Sequence, residues 1–486
     1  MRPLASVSGS IRYTLAALAA ALLVTPAVTA VQAQAGDTDA PVAPPQRAAR
    51  STPRALDGPT QRATLERVIS QSVLPNGLEV IVVENHNVPL ATVEVVVKNG
   101  SFTQEPQDEG VAHLFEHMLF RAYTDTTPDA SFARAAGEIT AGFNGTTNEE
   151  SVTYYATLPS RHLERGVQLL ATLMRRPRFR ADDLNRERQV VLGEYDRQVA
   201  NPFYHLRAAT GRALWSSAWS RKNTLGSREA INSATVERLE TIFKRYYVPN
   251  NSALVVTGDV TPQQVFELAR KHFGPWQRGP DPFAAFPIPP VPPLERDTTV
   301  IVEADTRDVV VMLQWQGPSV GRDPDATYAA DVFSDVLNAP TSEFRKKLVD
   351  SGLWQSLGVN YYTLDQVGPI TILGETTPEN LRAALAALYG EIARLGDPRY
   401  FSAQALADSK QDRKVGTAFG LERASGFAHT IAFWWSVADL EYYMGYVDNM
   451  AAQTARDLAD YGGKYIAGRP KVIGLMMSAE EAGKWR

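Results

Sequence analysis

Apolar and polar positions follow two rhythms along this chain. LPNGLEVIVVEN at 74–85 sets an Asn76-Gly77 turn before a strand, and ATVEVVVKNG at 91–100 reads as a second strand. From about 108 to 137 the period lengthens to that of a helix. SVTYYATLP at 151–159 returns to a strand, helices run through 160–248, and NSALVVTG at 251–258 is a strand again. Seven prolines in QRGPDPFAAFPIPPVPPLERD, 277–297, then break the pattern, because proline removes a backbone donor and stiffens the chain. Beyond them TTVIVEA and DVVVMLQWQG read as strands, followed by helix, strand, long helices and a last strand, KVIGLMMS. The halves echo each other. Each opens on strands ending in a glycine (Gly100, Gly317), and each closes on tyrosine, polar turn and apolar strand, as YYVPNNSALVVTG and KYIAGRPKVIGLMMS. The expected fold is α+β: two homologous α/β-sandwich-like domains, each a sheet packed by helices, at 67–276 and 298–486, joined by the Pro-rich linker 277–297.

The N-terminus has another pattern. Arg2 and Arg12 are the only charges before Asp37, TLAALAAALLVTPAVTA spans 14–30, and small residues end at Ala30 and Ala33. A basic start, an apolar core and such a site describe a secretory signal peptide, 1–33, cleaved after Ala30 or Ala33. Retention as an anchor is the competing reading, against which stand the short run and Pro26. Residues 34–66, rich in Pro, Ala and polar groups, read as a flexible tether. The expected location is periplasmic or secreted, with no stable membrane span after cleavage. The chain has no cysteine, so neither disulfide nor thiol-linked lipid is available. Losing two arginines takes the net charge from −5 to −7, a balance unsuited to nucleic acid.

VAHLFEHMLF, 111–120, carries the chemistry. On a helix His113 and His117 stack on one face with Glu116 beside them, and every other position is apolar. A helix apolar all round is a buried one, where three ionisable groups cost several kcal/mol unless something compensates them. A divalent cation does so: two neutral imidazoles bind it and the carboxylate holds a proton in transit. Core histidines with ordinary hydrogen-bond partners are the bland alternative, but H-x-x-E-H as a whole is the inverted zinc-protease phrase. A catalytic zinc needs a third protein ligand. RADDLNRERQVVLGEYDRQV, 180–199, offers Glu187 and Glu194 two turns apart, with Val190 and Val191 between them suggesting that this face turns inward. One carboxylate would ligate and the other orient a histidine; a solvated charged helix is the reading without the histidines.

His113-Leu114-Phe115-Glu116-His117 followed by Glu187 and Glu194 resembles the pitrilysin/insulinase metallopeptidases, which include the mitochondrial processing peptidase and exported bacterial members. NGSFTQEPQDEGVAHLFEHMLFRAY, AGFNGTTNEESVTYYATLP and YYVPNNSALVVTGD resemble further phrases of that family, and the likeness runs from about residue 68 to the C-terminus. It implies one Zn²⁺ per chain on His113, His117 and Glu194, Glu116 as general base, and Glu187 as the carboxylate behind a ligand. It also implies substrate binding along an edge strand at Asn144 and Gly145, where the family often has Asn-Ala. The fold implied is half of a clam-like chamber whose C-terminal domain is inactive, and the activity a zinc metalloendopeptidase on peptides or unfolded segments. The alternative is a non-catalytic scaffold or binding subunit.

The match departs in the second half. Its helix DATYAADVFSDVLN has no histidine, as is normal for the family. The family's Arg/Tyr phrase for the substrate carbonyl meets LVDSGLWQS here, with Val349 and Gln355 in those two places. Valine has no donor and glutamine neither charge nor phenol. A shifted replacement by Arg345, Tyr361 or Tyr362 is the alternative. The preferred expectation is a zinc-bearing subunit of a heterodimer whose homologous partner brings the Arg/Tyr pair.

Overall fold

The computed structural model describes residues 61–124, 131–420 and 423–485. The signal segment and nearly all of the tether lie outside them. The described chain begins with helix α1 (Gln61–Val68), whose Leu65 is fully buried, so regular structure starts inside the stretch expected to be tether. Among the described residues no helix is long and apolar enough to cross a membrane.

The first half builds a six-stranded sheet from β1 (Ile69–Val73), β2 (Glu79–Glu84), β3 (Leu90–Val97), β4 (Gly142–Thr147), β5 (Val152–Pro159) and β6 (Ser252–Gly258). Their spatial order is β1-β2-β6-β3-β5-β4. The second half builds a five-stranded sheet from β7 (Thr298–Glu303), β8 (Val309–Gln316), β9 (Ser356–Tyr361), β10 (Pro369–Thr376) and β11 (Val472–Met477), in the order β7-β11-β8-β10-β9. Setting β1 aside, the two orders are the same topology. In each, the last strand enters beside the first and parallel to it, β6 to β2 and β11 to β7, and the other neighbours are antiparallel. The echo in the sequence is thus a repeated fold unit. β1 is an addition that the pattern did not reveal, since ISQSV carries only two apolar residues.

The first sheet is covered on both faces, which is why β3 and β6 are buried almost without a break and not at alternate positions. On one face of the first sheet Val80, Val93 and Val95 pack against Leu114, Phe115 and Met118 of α2 (Val111–Arg121) and against Leu170. The other face, with Ile81, Val96 and Val255, is covered by Phe427, Ile431 and Trp435 of a helix from the other half, Ala424–Val437. The exchange is reciprocal. Helix Pro202–Trp215 leaves the first half and lays Leu206 on Val310, Met312 and Met476 of the second sheet. Gly474 permits this approach, because a Cβ there would stand 2.4 Å from Cγ2 of Thr210. The linker is pinned, not loose: Gln316 Nε2 donates to the carbonyl of Pro292 at 2.9 Å and the ring of Phe283 packs tilted at 5.5 Å from Phe102.

Candidate metal centre

α2 starts where the chain must turn sharply. Gly110 has φ 94°, and a Cβ there would meet Cα of Gly226 at 2.6 Å. The buried amide of Gln104 accepts from the N–H groups of Gly110 at 2.9 Å and Ala112 at 3.2 Å, satisfying donors that the helix leaves open. Val111, Leu114, Phe115 and Met118 then anchor one side of α2 in the core. His113, Glu116 and His117 are left on the opposite side, over a helix that crosses α2, α3 (Ala181–Val199).

The structure brings His113, His117 and Glu194 together, with one ligand atom of each within 4.8 Å of the others. Nε2 of His113 lies 3.7 Å and Nε2 of His117 3.6 Å from the same oxygen, Oε2 of Glu194. Ligand atoms around a tetrahedral zinc at its usual bond lengths stand roughly 3.4 Å apart. The two nitrogens and one carboxylate, borderline donors of the kind zinc takes, therefore fit that ion in chemistry and spacing. Burial and the neighbouring His117 hold the His113 imidazole down to about 4, so it is the neutral, ligating form at physiological pH. Its Nδ1 is buried and has no hydrogen-bond partner among the described residues, whereas Nδ1 of His117 lies 3.4 Å from Oε2 of Glu187. Glu187, 4% exposed, is itself held by Nε of Arg121 at 2.6 Å.

Glu116 is buried at the wall of the same cavity, about 380 Å³ in volume and lined also by Asn144, Gly145 and Phe120. Burial pushes its carboxyl up; the hydroxyl of Thr147, donating to Oε2 at 2.7 Å, opposes this. β4 is the outermost strand of its sheet, paired only with β5 among the described residues. Its free edge borders the cavity, and Asn144 and Gly145 sit on it opposite Tyr155 and Tyr154. Gly145 does more than relax the strand. A Cβ there would stand 2.8 Å from Oε1 of Glu116, so glycine leaves room for the carboxylate.

Val190 departs from expectation. It is 44% exposed, while Val191 is fully buried. The inward face of α3 is centred on Leu184 and Val191, which buries Glu187 and leaves Glu194 at the edge of the cavity. None of the residues weighed as an Arg/Tyr pair lines that cavity. Val349 packs on the second core, Gln355 Nε2 donates to Asp308 at 3.0 Å, and Tyr361 donates its hydroxyl to the carbonyl of Pro318 at 3.1 Å. The ring of Tyr362 lies tilted 6.2 Å from that of Phe433, and Arg345 lies on the short helix Glu343–Leu348. Sequence reasoning missed Thr147 and Gln104, whose contacts are long-range; Arg121, four residues after His117, had a helical signal. The helix of the second half carries Asp331 and Asp335 at the same four-residue spacing, and there a cation of the chain takes their charge: Arg413 donates to both oxygens of Asp335 at 2.8 Å.

Residues 79–226 match the insulinase domain of peptidase family M16 and residues 233–412 the M16 inactive domain. The chain belongs to this family of zinc peptidases. It is 29% identical to an uncharacterised zinc protease of Mycobacterium leprae over 214 residues, 44% of this chain and 48% of that one. It is 29% identical to a probable mitochondrial-processing peptidase subunit beta of Arabidopsis thaliana, over 42% of this chain and 38% of the relative. These alignments span about half the length of the curated relatives or less. Among solved structures, a protease from Helicobacter pylori superimposes with TM-score 0.74 at 23% identity, covering 84% of this chain and 99% of that one. The periplasmic protease PqqL of Escherichia coli gives 0.71 at 17% identity, with 86% of this chain matching 48% of that longer one.

Proposed function

We propose that the chain is a zinc-dependent metalloendopeptidase that hydrolyses peptides or unfolded polypeptide segments. The observation that carries this reading is the meeting of three ligand atoms from His113, His117 and Glu194 beside a buried Glu116. Zinc held by these three residues would polarise the scissile carbonyl and lower the pKa of water to about 7. Glu116 accepts the proton of the attacking water and returns it to the leaving amine. Thr147 fixes the rotamer of Glu116 through its 2.7 Å bond. Glu187 holds the ring of His117 from Nδ1, which leaves Nε2 for the metal. The free edge of β4, with Asn144 and Gly145, aligns the substrate backbone as an added strand.

The chain is, in the same proposal, one subunit of a heteromer. Among the described residues its cavity is lined by no Arg/Tyr pair from the second half, and it matches about half of the PqqL chain, so a homologous partner supplies that pair. A periplasmic or secreted location rests on the N-terminal segment and on the likeness to PqqL, itself a periplasmic protease.

Glu116→Gln tests the reading. The expected outcome is one zinc per chain by atomic absorption, as in the parent, with peptide cleavage reduced by roughly 10³-fold or more. Retained cleavage would overturn the role of Glu116, whereas unchanged biological activity without cleavage, or a parent chain that is inactive even with its partner, would favour the scaffold reading instead.

A further inference from the structure

Past the Thr147 end of β4 the metal cavity opens into a cleft of about 490 Å³ between the two halves, sharing His113, Thr147 and Glu194 with it. The far wall is α4 (Pro202–Trp215) and the turn after it, which contribute Tyr204, Arg207 and Trp219. This wall is shaped by close packing. Gly211 makes room for the indole of Trp219, since a Cβ there would stand 2.2 Å from its Cζ3, and Arg212 lies 5.4 Å from the ring centre.

The charges lining the cleft nearly all have partners. Lys222 is paired with Glu149 at 3.0 Å, donates to the carbonyl of Val367 at 2.7 Å, and sits 4.8 Å over the ring of Trp215. Glu194 belongs to the metal centre. Arg207 is different: it is exposed, and among the described residues its guanidinium has no ion pair or side-chain hydrogen bond. An unpaired guanidinium on a cleft wall that also carries Tyr204 and Trp219 is a receptor for a carboxylate. Direction follows from the edge strand. β4 runs from Gly142 towards Thr147, so a peptide added antiparallel to it has its N-terminal part at the Thr147 end, where the cleft begins.

We infer that this cleft is a specificity subsite for an acidic side chain, Asp or Glu, on the N-terminal side of the scissile bond, with Arg207 as the specificity-determining residue. The inference rests on the peptidase reading for its orientation, but its chemistry can be tested without turnover. In the zinc-loaded full-length Glu116→Gln protein, fluorescence anisotropy compares peptides that differ only by Glu or Lys at one position, and a peptide whose sole carboxylate is its C-terminus. Tighter binding of the Glu peptide by about tenfold is expected, lost on adding Arg207→Ala, partly restored by Arg207→Lys and unaffected by Arg165→Ala, a control exposed on the helix Leu163–Arg175 and outside the cleft lining. In parallel, cut sites in a random peptide library are mapped by mass spectrometry for the otherwise native enzyme. Enrichment of Asp and Glu before the cut, reversed towards Lys and Arg in Arg207→Glu, supports the inference. A preference unchanged by Arg207→Ala, one confined to residues after the cut, or one for the terminal carboxylate alone overturns it. If nothing is cut even with the partner subunit present while Arg207 still governs binding, the peptidase reading falls and the subsite stands.

Discussion

Thr147 is a small residue with a large share in the proposed chemistry. Its hydroxyl is the hydrogen bond that favours the charged form of Glu116 against the burial that disfavours it. Thr147→Val keeps the β-branched shape of the strand and removes only that bond. With the bond gone, the neutral form gains, so the carboxyl rises further and the acid limb of the pH–rate profile moves to higher pH. Turnover at neutral pH is expected to fall about tenfold, with zinc content unchanged. A profile superimposable on the parent's would show that Thr147 does not act on the base. Gly145 works from the other side of the carboxylate by leaving it room, and Glu187 works from behind His117.

At the scale of elements, the decisive contact is the helix Ala424–Val437 on the rear of the first sheet. Phe427, Ile431 and Trp435 supply apolar burial, and one polar contact fixes the fit. Glu94, fully buried in the middle of β3, meets Nδ1 of His429 at 2.6 Å, with the ring of Tyr155 at 4.4 Å. Burial works against the imidazolium, but the bond and charge of Glu94 prevail and raise His429 above its ordinary 6.5. A histidine raised by folding contributes stability that is complete below its unfolded value and lost as pH rises through the folded one. His429→Gln is therefore expected to cost ~1–3 kcal/mol at pH 6 and much less at pH 9, measured by denaturant unfolding at both. Equal losses at the two pH values would mean that packing alone, and not the charge, holds the helix.

The whole molecule is two copies of one fold unit that cannot be separated cleanly, because each lends a helix to the other's sheet. They are also joined beside the cleft. The backbone N–H groups of Asp365 and Gln366, between β9 and β10, donate to Glu150 at 2.6 and 2.8 Å. Glu150 follows Glu149 in the turn between β4 and β5, so this junction ties the second sheet to the strand that borders the metal cavity. Complete burial raises Glu150 from 4.5 to about 7, against the pull of Lys222 and the two N–H groups. The folded state thus holds a proton that the unfolded state has released, and this stabilisation fades as pH climbs from about 4.5 through about 7. Glu150→Gln mimics the protonated carboxyl. Its melting temperature should match the parent's near pH 4.5 and exceed it increasingly towards pH 8. A constant offset across that range would contradict the account.

Much of this protein was legible in one dimension. The apolar runs, the repeated unit and the separate groupings of His113, Glu116 and His117 and of Glu187 with Glu194 could be read from local spacing, because helix and strand periods place near neighbours without reference to the rest of the chain; that the two groups meet was implied only by the family resemblance. The α+β class and the family resemblance followed from the same phrases. What tertiary structure alone decided concerns partners distant in sequence. Periodicity says that a face is apolar, not which element will cover it, so nothing local told that residues 424–437 would close the first sheet or that 202–215 would close the second. The same limit hid Thr147 beside Glu116 and turned Val190 outward while Val191 went in. It also left Arg207 indistinguishable from any other arginine on a helix. Only the packing of the helix 202–215 against the second sheet sets it beside the metal cavity, with its charge unmatched among the described residues.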